Sequence, residues 1–147
     1  MKRGNIVVGV KSVLLKKFFL SCRRHFVGML LPVAPWMLAA LPSLFTVNER
    51  VALFGKCDNR RMAYVAVGAT NVGSIAMKFD PIVTNASSDE IGKTHCRKFE
   101  KPVSLKRGEE VGFFKMGSTI VMIFEAPKSF VFSVNPGDKV KLGQRLG

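Results

Sequence analysis

Beyond Glu49 the chain is written in short apolar blocks separated by polar or glycine-containing breaks, and the blocks have strand length, not helix length. RVALFG (50–55) is an apolar run ended by glycine. RMAYVAVGATNVGSIAMKF (61–79) is rich in Val, Ala and Ile, and Gly68 and Gly73 within it point to bulges or close backbone approach. DPIVTNASSDEIGK (80–93) reads as a polar loop. KPVSLKRGEEVGFF (101–114) predicts a strand, a turn at 106–108 and a second strand. STIVMIFE (118–125) is continuously apolar, which predicts a strand covered on both faces. Near the C-terminus, Pro136-Gly137-Asp138 predicts a tight turn, after which Val140 and Leu142 alternate inward.

The first third has a different texture. Residues 26–47 carry no charge and include VGMLLPVAPWMLAALPSLF (27–45), long enough to suit a membrane span. Pro32, Pro35 and Pro42 interrupt it, and proline breaks a helix unless other groups satisfy the freed carbonyls. A buried or interfacial segment with short helices is expected instead. The opening MKRGNIVVGVKSVLLKKFFLSCRR is basic, apolar and free of acid, as organelle-targeting segments are; a secretory signal peptide is the rival reading.

The 147 residues suit one domain, and 48% apolar content is enough for a sizeable core. A net charge of +13 argues for an anionic partner. Seven Lys or Arg residues precede Glu49, the first acid, so the charge concentrates beside the apolar segment. KKFFLSCRRHF could contact nucleic acid, but no RNA-binding signature is present and the long apolar run favours an anionic membrane surface. Cys22, Cys57 and Cys96 are too few for a disulfide framework. Cys22 with His25 and His95 with Cys96 could in principle surround zinc, but neither pair has a helical or knuckle setting; free thiols and no metal are expected. His25 and His95 read as surface or loop residues. No phosphate-binding loop or GxSxG elbow occurs. The turn-strand-turn unit GDKVKLGQRLG resembles those of biotinyl and lipoyl carrier domains, but the exposed hairpin-tip lysine of a carrier has no counterpart: Lys115-Met116 is in the wrong context.

Several stretches together resemble the phosphatidylserine decarboxylases: RRHFVG (23–28), LPSLFTVNERVALFG (41–55), VAVGATNVGSI (65–75), KRGEEVGFFKMGSTIVMIFEAP (106–127) and GDKVKLGQRLG (137–147). The resemblance runs from about Arg23 to the C-terminus and is nearer to the eukaryotic, mitochondrial-type branch. It implies a mostly β (α+β) fold, a compact β-barrel or sandwich resembling a barrel-sandwich hybrid, with short N-terminal helices. Residues 1–22 would be a targeting-like or unrelated segment and 23–147 the decarboxylase-like domain.

The same resemblance implies the chemistry. The backbone would be cut between Gly117 and Ser118, leaving 23–117 in one chain and 118–147 in the other, held together as a heterodimer. Ser118 would become a covalent pyruvoyl cofactor whose ketone forms a Schiff base with the amine of phosphatidylserine. The product would be phosphatidylethanolamine, and the place of work the mitochondrial inner membrane, with another endomembrane or secretory compartment as the alternative. The residue types suit these roles: a serine oxygen reaches the preceding carbonyl through a five-membered ring, and glycine leaves that carbonyl unshielded. The family also has an aspartate and a histidine ahead of its RRHF-like stretch, and no His or Asp precedes Arg23 here. An unprocessed lipid-surface binding module is therefore the second reading.

Overall fold

The computed structural model describes residues 4–7, 17–70, 74–82, 84, 88–106, 108–115, 119–141, 144 and 146–147. Among them the elements are, in order, β1 (Gly4–Val7), β2 (Lys17–Phe26), α1 (Pro35–Ala40), α2 (Leu44–Val47), β3 (Arg50–Cys57), β4 (Arg60–Val67), β5 (Ile75–Met77), β6 (Thr94–Lys106), β7 (Glu110–Phe114) and β8 (Thr119–Phe124). The strands form two antiparallel sheets, a larger one in the order β6-β2-β3-β4-β8 and a smaller one in the order β1-β7-β5. Ile75, Met77, Val111 and Phe114 of the smaller sheet meet Phe18, Leu20, Leu53, Met62, Tyr64 and Leu105 of the larger one in a single core. The expected mostly β fold with short N-terminal helices is present. It is an open sandwich and not a barrel, because β6 and β8 remain the two edges of the larger sheet.

Local chemistry explains the strand pattern. Asp58 and Asn59 both have positive φ (47° and 63°) and join β3 to β4 with Cys57 paired to Arg60. A two-residue turn with both φ positive matches strand twist, and Asp and Asn tolerate that region better than other non-glycine residues. Gly108, at φ 77°, turns the chain from β6 to β7 within the 106–108 turn expected from sequence. β2 runs between β6 and β3, straight through the 22/23 boundary suggested by sequence. A bulge between Leu20 and Cys22 changes which side chains face inward. Before it Phe18 and Leu20 are buried; after it Arg23 and His25 are.

That switch puts charge into the interior. Arg23 stands opposite Arg97 of β6, a like-charge pairing that costs stability by itself. Asp80, 1% exposed, lies between them and bonds to both. One carboxylate thus bridges two arginines, offsetting one of their two charges, and ties the loop after β5 to the larger sheet.

Three expectations change. β8 is not covered on both faces: it is an edge strand whose Ile120, Met122 and Phe124 pack on the core, whereas Ile123 is 64% exposed. The 61–79 stretch splits between sheets, β4 ending at Val67 and β5 pairing with β7. The turn at Pro136–Asp138 forms, with Asp138 N–H donating to the Asn135 carbonyl at 3.1 Å, but Val140 is exposed and no strand follows among the described residues; Leu142 lies outside them. Edge-to-face contacts of Phe130 with Phe124 and Phe132 hold this tail beside β8 instead.

Replacing Asp80 by Asn should cost roughly 3–5 kcal/mol, because it strands a buried arginine charge. Urea unfolding checks this, with Arg61→Ala as the comparison: Arg61 pairs with Glu125 in solvent, so its loss should leave the midpoint unchanged.

Candidate active site

All five strands of the larger sheet begin or end in one row. Thr94, Phe26, Arg50, Val67 and Thr119 are successive cross-strand partners, and each is the terminal residue of its strand. The connections beyond this row therefore gather at one end of a rigid sheet, where loops best support a site.

The segment after β2 is folded back onto the row by polar groups. Gly28 lies so close to the chain ahead of β3 that a Cβ there would stand 2.4 Å from the Val47 carbonyl oxygen. Only glycine permits the next contacts, in which Met29 N–H donates to the Val47 carbonyl and Glu49 N–H donates to the Met29 carbonyl. Asn48 is fully buried. Its Oδ1 accepts from Leu31 N–H, and its Nδ2 donates to the carbonyls of Leu31 and Gly68 at 2.9 Å each. Thr70 Oγ1 donates to the Leu30 carbonyl, and Gly68 N–H to the Glu49 carbonyl. The NERV and VGAT stretches, far apart in sequence, are thereby joined.

Next to this node lies an ionisable pair. His25 and Glu49 are 3% and 1% exposed, and His25 Nε2 is 2.8 Å from Glu49 Oε1. His95, the cross-strand partner of His25, stacks its ring 5.9 Å away and approaches Glu90 from an exposed position. His25 is thus a buried sheet residue and not a surface one. It stands three strands from β8, roughly 14 Å at ordinary strand spacing. A general base must come within hydrogen-bond reach of its proton, so His25, like the still more distant His95, does not serve the start of β8 directly.

A cleft of about 300 Å³ opens at the same row, lined by Phe26, Met29, Thr46, Arg50, Ile91 and Lys93 among others. The Arg50 guanidinium lies 4.3 Å from the centre of the Phe26 ring, and its Nη1 donates to the carbonyls of Thr46 and Asn48. Partial burial lowers its pKa. A larger cavity of about 760 Å³ lies towards the opposite end of the sheet, on its outer face, between Phe19, Phe54, Ile123 and the Arg61–Glu125 pair. It shares no residue with the row.

Gly117 and Ser118 lie outside the described residues. Their flanks are informative. β7 ends at Phe114 in the smaller sheet, Lys115 N–H reaches the Ser74 carbonyl at 3.3 Å, and β8 opens at Thr119 in the larger sheet. The bond singled out by sequence therefore falls where the chain crosses between sheets. Cys22, Cys57 and Cys96 are free thiols, and no cluster of three metal-ligating side chains occurs among the described residues.

The family model for phosphatidylserine decarboxylase matches residues 16–147. The chain belongs to the phosphatidylserine decarboxylase family. It is 47% identical over 135 residues to phosphatidylserine decarboxylase proenzyme 1, mitochondrial, of Saccharomyces cerevisiae, covering 85% of this chain and 27% of that protein. It is 46% identical over 134 residues to the Schizosaccharomyces pombe proenzyme 1, with 85% and 31% covered. The Rattus norvegicus mitochondrial proenzyme is 44% identical over 135 residues, with 86% and 33% covered. The chain thus spans about a third of the length of these relatives.

Within this decarboxylase-family chain, sequence had marked NERV and VGAT without giving their residues roles. Asn48, Glu49 and Gly68 meet only through long-range pairing, and the signal available was a polar pair, Asn48-Glu49, closing an otherwise uncharged stretch.

Asn48→Ala should destabilise the fold by roughly 3 kcal/mol, since it leaves buried backbone groups at Leu31 and Gly68 unpaired; a lower thermal midpoint checks it. Burial, with Asp58 nearby, pushes the Cys57 thiol up to about 11 from 9.0. Alkylation at pH 8 should then modify exposed Cys96 first and Cys57 last. The stability linked to the neutral Cys57 thiol is present below pH 9 and is lost as the pH rises through 11.

Proposed function

We propose that this chain carries the self-processing part of a phosphatidylserine decarboxylase, with Ser118 as the precursor of its pyruvoyl group. The reading is supported by the family match on both sides of Gly117-Ser118 and by the flanking strands, β7 and β8, which belong to different sheets. The Ser118 oxygen attacks the Gly117 carbonyl carbon, and the acyl group moves from nitrogen to oxygen. Elimination across the former serine then breaks the ester, releasing Gly117 as a carboxylate. Addition of water and loss of ammonia leave the ketone at the new N-terminus. When formed, the pyruvoyl group supplies an electron sink for loss of CO₂ from phosphatidylserine.

The fold suits a cut at this point. β7 is held by β1 and β5, and β8 by six cross-strand partners on β4, from Val67–Thr119 to Met62–Phe124. Neither strand relies on the connection to stay in its sheet, so residues 1–117 and 118–147 remain a heterodimer. The substrate is an anionic phospholipid, the partner surface an anionic bilayer, and the location the mitochondrial inner membrane, in keeping with the mitochondrial names of the relatives. No helix among the described residues is long and apolar enough to cross a membrane.

A second reading, an uncut lipid-surface module, is favoured by one observation: no residue of α1 is buried. Intact-mass measurement separates the two. Two chains matching 1–117 and 118–147, the second lacking a free amine at its N-terminus, are expected, and Ser118→Ala should give one uncut chain. A wild-type chain that stays whole and keeps its serine would overturn processing.

A further inference from the structure

The segment that joins two residues of the strand-end cleft, Met29 and Thr46, carries an exposed apolar helix. α1 buries none of its residues, and Trp36 is 63% exposed, Leu38 39%, Met29 44% and Ile91 50%. Met29 and Ile91 line the cleft itself, together with Arg50 and Lys93. Exposed tryptophan, aliphatic side chains and cations together are the set that rests at the boundary between headgroups and acyl chains.

The cations differ in what they have left to offer. Lys93 is bonded to Glu90, so its charge is largely offset. Arg50 has no carboxylate partner among the ion pairs of the described residues, and its Nη1 alone is used on the Thr46 and Asn48 carbonyls. A guanidinium has five N–H donors, and the remainder match a phosphate in geometry and charge. The Phe26 ring and the two carbonyls hold this group in place, so it loses little freedom when a ligand arrives. A volume near 300 Å³ suits a headgroup and no more.

We propose that this cleft binds the phosphate of an anionic phospholipid through Arg50, while Met29, Trp36, Leu38 and Ile91 enter the bilayer interface around it. The site deepens the reading above and rests on it in one respect, that the chain works on lipid at a bilayer surface. It also orients the molecule: the row bearing Thr119 then faces the membrane, with Arg50 two strands away, roughly 10 Å.

Trp36 is the only tryptophan, so its emission reports the contact directly. The full chain is mixed with phosphatidylcholine vesicles with and without phosphatidylglycerol, some carrying brominated acyl chains. A blue shift and bromine quenching are expected, stronger with phosphatidylglycerol. Co-sedimentation should show a roughly fivefold loss of partition for Arg50→Gln, a smaller loss for Lys93→Gln, and a roughly tenfold loss for Trp36→Ala. Circular dichroism verifies that each variant is folded; Arg50→Lys, which retains the charge, should bind better than Arg50→Gln. Inorganic phosphate without vesicles should leave Trp36 emission unchanged.

Unquenched Trp36 in a folded chain, or equal partition of Arg50→Gln and wild type, would overturn the proposal. An emission change with inorganic phosphate alone, as large as that with vesicles, would overturn the lipid assignment. Intact mass of the same samples keeps the two ideas apart. Cleavage at 117/118 without quenching removes the cleft proposal alone, and quenching without cleavage removes self-processing alone.

Discussion

Asn48 is fully buried, and its one side chain bonds the N–H and carbonyl of Leu31 and the carbonyl of Gly68. Those backbone groups belong to irregular segments and lack ladder partners there. In a buried setting each would cost about 1–3 kcal/mol if left unpaired. The uncharged stretch, also held by the Met29 bonds to Val47 and Glu49 and by buried Leu44, is thereby fastened across the ends of β3 and β4. The Arg50 cleft is lined in part by that stretch, at Val27, Gly28, Met29, Thr46 and Val47.

The interior beside the node is unusually polar for so apolar a chain. The bulge in β2 exchanges Phe18 and Leu20 for Arg23 and His25 on the inward face, and the fold answers each with a carboxylate, Asp80 and Glu49. Buried ion pairs seldom add net stability over apolar packing, but losing one partner is costly. They bind loops to the sheet in a single arrangement: Asp80 brings the segment after β5 to β2 and β6, and Glu49 links the start of β3 to the end of β2. The larger sheet is thus apolar in its body and polar towards the end where the family motifs meet.

Separate anchorage of β7 and β8 would let the fold survive the cut proposed between them. β7 and β8 are hydrogen-bonded in two different sheets, and Ile120, Met122 and Phe124 contribute apolar burial on the β8 side. The same division leaves β8 an edge strand of the larger sheet, with Ile123 exposed.

Sequence by itself determined the class of the fold, the turns at 106–108 and 136–138, the broken apolar segment and the family, because these depend on local composition and on motifs in order. It pointed to Gly117-Ser118 for the same reason. It misjudged β8, Val140 and His25, because the number of faces a strand buries depends on its place in the sheet, and sheet order is not written in any one strand. Only tertiary structure decided that β2 shifts its register at Leu20, that Asn48 meets Gly68 and that Arg50 stands in a cleft with Met29 and Ile91. Each joins residues distant in the chain, and pairing between strands, not local propensity, sets which of them meet.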